Sequence, residues 1–177
     1  NLLRCIESFH YINNRICNRI GNEVERMYAA YSDRIFNEDD LYKVVDSFVD
    51  EVLSKSADRA EFVARFEFLS YQNLSDRQTI RYAFDRLANI GVKEGQRVHL
   101  LDFFDGEQGI QGSYNIDHIA CQALNTDAGE VAHEIGNLLI LPKQINGILG
   151  ADDFPTKMAK LAAPHKFGGN NIKQGPN

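Results

Sequence analysis

Between Tyr114 and Lys157 the chain collects most of the residue types from which a hydrolytic site is built. Tyr114-Asn115-Ile116-Asp117-His118-Ile119 sets an acid beside a histidine at the end of an apolar-alternating stretch. Gly136-Asn137-Leu138-Leu139-Ile140-Leu141-Pro142 follows, then Asn146 nine positions beyond Asn137, then Lys157. A phosphodiester resists attack because nucleophile and backbone are both electron-rich. An enzyme that cleaves one must therefore supply a deprotonated water and a cation to absorb charge on the leaving oxygen. Neutral imidazole takes the proton at neutral pH, and hard oxygen donors hold a divalent metal that keeps other positions for water and phosphate. Acid, imidazole, two carboxamides and an amine in this order are the wiring of a one-metal phosphodiesterase. Side chains alternate along a strand, so Asp117 and His118 cannot point the same way unless the strand ends or bulges there.

These stretches resemble the His-Asn-His (HNH, ββα-metal) nucleases. More narrowly they are similar to the C-terminal nuclease domain of GmrSD-type modification-dependent restriction enzymes, in the order Asp117-His118-Ile119, Gly136-Asn137-Leu138, Asn146, and Phe154 with Lys157. The resemblance implies His118 as general base, Asp117 and Asn146 as ligands of one divalent metal, and Asn137 as the residue that ties the loop backbone and holds the base. It also implies Lys157 on a closing helix, meeting a phosphate oxygen. The third motif residue is Asn146 where many of these nucleases have histidine, and oxygen in place of nitrogen shifts the expected ion to Mg2+, with Mn2+ possible, and away from zinc or nickel. The implied activity is a DNA endonuclease or nickase of a prokaryotic restriction or phage-defence protein. Its partners would be double-stranded DNA, foreign or modified, an upstream nucleotide-hydrolysing and modification-sensing domain, and a second copy of the chain. The chain departs from the family at Ile119-Ala120-Cys121-Gln122, where relatives carry a proline that stiffens the exit from the strand. A different class stays open: a DNA-binding or assembly module that retains the ββα scaffold without activity. Asn146 precedes Gly147 and also reads as a turn residue, Lys157 as a solvated helix lysine, and His133 as a structural residue on the face of a short helix.

These residues must be positioned by the elements around them. Leu2, Leu3, Ile6, Phe9, Ile16 and Ile20 recur at helical spacing up to Gly21; Val24, Met27, Tyr28, Tyr31 and Ile35 form a second stripe. Leu41, Val44, Val45, Phe48, Val49 and Val52 form a third, and Phe62, Val63, Phe66 and Leu69 a fourth. Ser75 with Gln78 reads as a capping box opening a fifth helix that carries Ile80, Phe84, Leu87 and Ile90 and stops at Gly91. The expected fold is mainly α: a helical bundle and connecting segment over 1–111, a ββα-metal unit over 112–163, and a flexible tail over 164–177. Within the second part, strands are expected at Tyr114 to Ile119 and Asn137 to Leu141, joined by a loop and short helix, with a last helix started by Pro155.

Composition limits the function classes. Cys5, Cys17 and Cys121 form no Cys-x-x-Cys pair, so a structural zinc knuckle is not expected and a secreted disulfide framework is argued against. No stretch approaches the roughly 20 apolar residues of a membrane span, which points to the cytoplasm and to no membrane partner. A start at Asn1 is expected of a piece cut from a longer polypeptide, and no Gly-rich phosphate loop is present. The net charge of −6 opposes DNA binding, since phosphate neutralisation dominates such affinity. Lys143, Lys157, Lys160 and Lys166 are candidates for a local basic rim, to which Arg77, Arg81 and Arg86 could add.

Overall fold

The apolar stripes fold into helices wherever their spacing places one face against a neighbour. The computed structural model describes residues 2–19, 21–37, 40–97, 100, 114–121, 132–163, 166–167 and 170–171. Among them lie seven α-helices and two small two-stranded sheets. No helix of the described residues is long and apolar enough to cross a membrane. The chain divides into two compact units, Asn1–Phe68 and Leu69–Asn177.

The first unit contains α1 (Leu2–His10), α2 (Asn22–Asn37), α3 (Leu41–Lys55) and α4 (Arg59–Phe66). Phe9, Met27, Tyr31, Val44, Phe48 and Val52 form its core. Tyr31 stands edge-on to Phe48 with ring centroids 5.1 Å apart, and its hydroxyl donates to the Ser47 carbonyl at 3.0 Å, so its polar end is satisfied while the ring is buried. Asp40 and Asp58 accept from the backbone N–H groups of Lys43 and Glu61, starting α3 and α4. The first stripe does not continue as one α-helix. After His10 it widens into a π-helical segment, Tyr11–Ile16, where buried Asn13 donates to the Phe9 carbonyl at 3.0 Å and accepts from the Ala57 N–H at 2.8 Å. A side chain that takes the carbonyl four residues back competes with the α-helical ladder, and here it also anchors the turn after α3.

The second unit begins ahead of α5 (Leu74–Ala88), so the fifth helix falls with the hairpin and not with the first four. The expected Ser75 capping box does not form: the N-cap is Asn73 and Ser75 already lies inside the helix. Asp76 instead accepts from the Ser70 N–H at 3.2 Å and the Asn73 carboxamide at 3.1 Å, folding the preceding turn back on the first helical turn. Asp85, buried on the same helix, accepts from the Leu100 N–H at 2.8 Å. After α5 the chain turns through Gly91, whose φ of 73° is easily reached only without a Cβ.

Strands β1 (Tyr114–His118) and β2 (Leu138–Pro142) pair antiparallel, from Tyr114 opposite Pro142 to His118 opposite Leu138. The short helix α6 (Lys143–Leu149) follows directly and packs on both strands; α7 (Phe154–Ala162) packs on α6. Asp153 caps α7, accepting from the Thr156 N–H at 2.9 Å, and Pro155 occupies its first turn. Two residues at each of Lys166–Phe167 and Asn170–Asn171 also pair. Residues 122–131 of the expected loop and short helix, the apolar run 98–104 apart from Leu100, and most of the expected tail lie outside the described residues; 132–134, which are described, form a turn and an isolated bridge.

Candidate functional site at the end of the hairpin

The first strand ends on the acid and the imidazole, and alternation sends their side chains to opposite faces. Asp117 is the buried one, 9 % exposed, while His118 is half-buried. A carboxylate that deep needs a partner. Lys157 supplies it from α7: its Nζ lies 2.8 Å from Asp117 Oδ2 and 2.5 Å from the His118 carbonyl oxygen. Lys157 is itself only 3 % exposed. It was expected at a phosphate oxygen; the structure commits its ammonium to the carboxylate and the strand end, so two of the expected site residues meet as a buried ion pair.

Asn137 closes the other side. Its Oδ1 accepts from the Ala120 N–H at 2.8 Å, while its Nδ2 donates to the carbonyls of Ala120 at 3.2 Å and Ala132 at 2.8 Å. The Ile119 N–H donates to the Asn137 carbonyl at 2.9 Å, extending the pairing past the last strand residue. One carboxamide thus ties both ends of the long connection between the strands directly behind His118. Ser or Ala could not do this, because two donors and an acceptor in one plane are needed.

The His118 ring stands edge-on to the His133 ring, with centroids 5.2 Å apart and an interplanar angle of 89°. On another side, the Tyr71 ring lies 6.4 Å away at 73°. Partial burial, with the neighbouring His133 and then Lys157 adding to it, pushes the His118 pKa below the usual histidine value, against a smaller opposing pull from Asp117. That shift favours the uncharged ring, the form able to accept a proton. His133 belongs to a turn, not to a short helix, and its carbonyl accepts from the Tyr71 N–H at 2.9 Å beside the isolated bridge of Ser70 with Glu134. Sequence reasoning passed over Tyr71 altogether, since more than forty residues separate it from His118.

Asn146 stands half-buried in the middle of α6, its carbonyl accepting from the Gly150 N–H at 3.0 Å. The structure does not bond it to Asp117, whose engaged oxygen belongs to Lys157. Among the described residues no three His, Cys, Asp or Glu side chains gather as a metal cluster. Asp117 and Asn146 both offer oxygen, and Lys157 engages only one Asp117 oxygen, Oδ2. No contact between Asp117 and Asn146 is seen, and an ammonium already on Asp117 Oδ2 opposes a cation there by charge repulsion.

No protein-family model, curated protein or solved structure matches the chain. The described residues define a class by architecture: a mainly helical protein in which an antiparallel strand pair, β1 with β2, is followed by two helices.

Proposed function

We propose that the second unit is a DNA endonuclease of the HNH type that nicks double-stranded, foreign or modified DNA as part of a restriction or phage-defence protein. One observation carries this reading: a half-buried imidazole stands at a strand end that Asn137 and Lys157 fix from two sides. A general base works best when its orientation is set before substrate arrives, and carboxamide and ammonium here hold the backbone on either side of His118. In this reading His118 takes the proton from the attacking water. Asn137 and Lys157 position it through the backbone, and Lys157 reaches no phosphate while it holds Asp117. Asp117 and Asn146 would hold the divalent ion, Mg2+ or Mn2+, which supplies charge stabilisation at the scissile phosphate.

Incubating the chain with supercoiled plasmid and Mg2+ or Mn2+ tests the proposal. Nicking is expected from the parent, lost with EDTA, lost in His118→Ala and strongly reduced in Asn146→Ala. Absence of nicking by the parent at high protein concentration rejects it. The second reading, an inactive binding or assembly module, is favoured by one feature: Lys157 already neutralises the carboxylate that a dication would need.

A further inference from the structure

The first unit carries a groove that its own helices leave open. It holds about 590 Å³ between α1 and α3, and its lining includes Cys5, Phe9, Val45, Val49, Val52 and Leu53. Phe9 and Val52 belong to the buried core, whereas Leu53 stands 62 % exposed. The chain returns through α2 between the two helices, so α1 and α3 run in the same direction. Past the ends of both, the Asn13 carboxamide oxygen accepts from the Ala57 N–H at 2.8 Å and sets their register. Counting back at 1.5 Å per residue puts Arg4 level with Phe48, and therefore within about 3 Å of Asp46 in height along the groove.

Arg4 on the α1 side and Asp46 on the α3 side are the charged residues of the lining. Both are exposed, and among the described residues neither forms an ion pair or a hydrogen bond. The other charges of the two helices remain in force but lie outside the lining: Glu7 on α1, and Lys43, Asp50, Glu51 and Lys55 on α3. A small apolar molecule in the groove would leave Arg4 and Asp46 unmet, and an unrelated helix would need to bring a matching pair of charges. A second copy of the same face brings that pair by symmetry. A two-fold axis parallel to the helices lays α1 of each copy over α3 of the other with heights unchanged. Arg4 of each copy then meets Asp46 of the other, while Leu53 and the valines of the two grooves close on one another.

We propose that the first unit self-associates as a two-fold dimer through the α1–α3 groove, with two Arg4–Asp46 pairs between the copies setting the register. The inference stands apart from the endonuclease reading, since it uses no residue of the second unit. Burial of the apolar lining supplies the attraction, and the charge pairs select this arrangement over others.

The test is sedimentation velocity of the full chain over a concentration series, at about 0.15 M salt so that the repulsion between two copies of net charge −6 is screened beyond about 8 Å. The parent is expected to show a monomer–dimer equilibrium. Arg4→Asp and Asp46→Arg, each at an exposed position, should melt like the parent and raise the dimer dissociation constant at least about tenfold, because like charges then meet across the axis. Mixing the two variants in equal amounts should bring the dimer back, since one offers two acids and the other two bases. The chain carrying both substitutions should dimerise by itself. Leu53→Lys should weaken the dimer in either background. Recovery on mixing distinguishes an interface from damage to the fold, because two misfolded chains do not repair each other. A parent that stays monomeric throughout, a dimer indifferent to both charge reversals, or a loss that mixing does not recover overturns the inference. Plasmid nicking by the same preparations reads the endonuclease proposal separately.

Discussion

At the scale of single residues, the site depends on two side chains that act on backbone. Asn137 makes three hydrogen bonds to main-chain groups of Ala120 and Ala132, and Asn137→Ala leaves all three partners unmet in a half-buried place. At about 1 kcal/mol each, the loss should be about 2–3 kcal/mol, read from urea unfolding at unchanged m-value. If the endonuclease reading holds, nicking should fall as well, even under conditions where the variant is fully folded. The Asp117–Lys157 pair makes a different prediction, because removing one member strands a charge among buried groups. Lys157→Met is expected to cost about 3–5 kcal/mol, whereas Asp117→Leu with Lys157→Met should recover most of it. A double variant no more stable than Lys157→Met alone would mean that the pair is not what holds α7 to the strand. None of this was legible as energetics in the sequence. The sequence brought Asp117, His118, Asn137 and Lys157 under one resemblance, which put the Lys157 amine on a phosphate oxygen, with a solvated helix lysine as the alternative; the structure gives it neither place. Its burial depends on where α7 lands, which is a tertiary fact.

At the scale of elements, periodicity located the helices and local chemistry set several of their ends. The third stripe became α3 and the fourth became α4, each started by an aspartate whose carboxylate meets the third N–H. What periodicity could not show was competition from elsewhere: Asn13 widens the first stripe into a π-helical segment by bonding Ala57, forty-four residues away. Likewise the Ser75–Gln78 pair matched a capping pattern, yet the fifth helix starts two residues earlier, with Asn73 as its N-cap and Asp76 bonding back to Ser70 and Asn73. His133 was placed on a short helix by its local apolar neighbours, and it entered the site through a long-range bond with Tyr71. Helix α7 carries the element-level prediction. Asp153 caps it, and the side-chain and backbone hydrogen bonds from Thr156 hold the Asp153 carboxyl below the ordinary aspartate range. A folded pKa below the unfolded one gives stability that is present above the unfolded value, near pH 4, and disappears as pH falls through the folded value. Melting of the parent should therefore drop more steeply than that of Asp153→Asn as pH is lowered through that window. Near neutrality the variant should melt lower than the parent, with α7 as the first segment to gain amide exchange.

At the scale of the whole molecule, net charge and local chemistry pull in opposite directions, and the contest has a measurable outcome. A net charge of −6 repels a polyanion at long range, so the chain is expected to bind duplex DNA no better than ordinary non-specific affinity, about 10⁻⁴–10⁻⁶ M. The sequence showed the repulsion plainly, because composition needs no fold. It did not show that Arg77 and Arg81 both bond Tyr71, whose ring stands beside His118, because that contact exists only in the folded second unit. If two phosphate contacts supply most of the attraction, raising potassium chloride from about 50 to 200 mM should weaken binding roughly tenfold. Nicking at protein concentrations below saturation should fall by the same factor, while nicking at saturation should barely change. Joining two copies through a flexible linker should offset the salt effect, because the second binding event then occurs at a high effective concentration. Nicking that ignores salt at low protein concentration would show that attraction to the phosphate backbone is not what delivers DNA to His118.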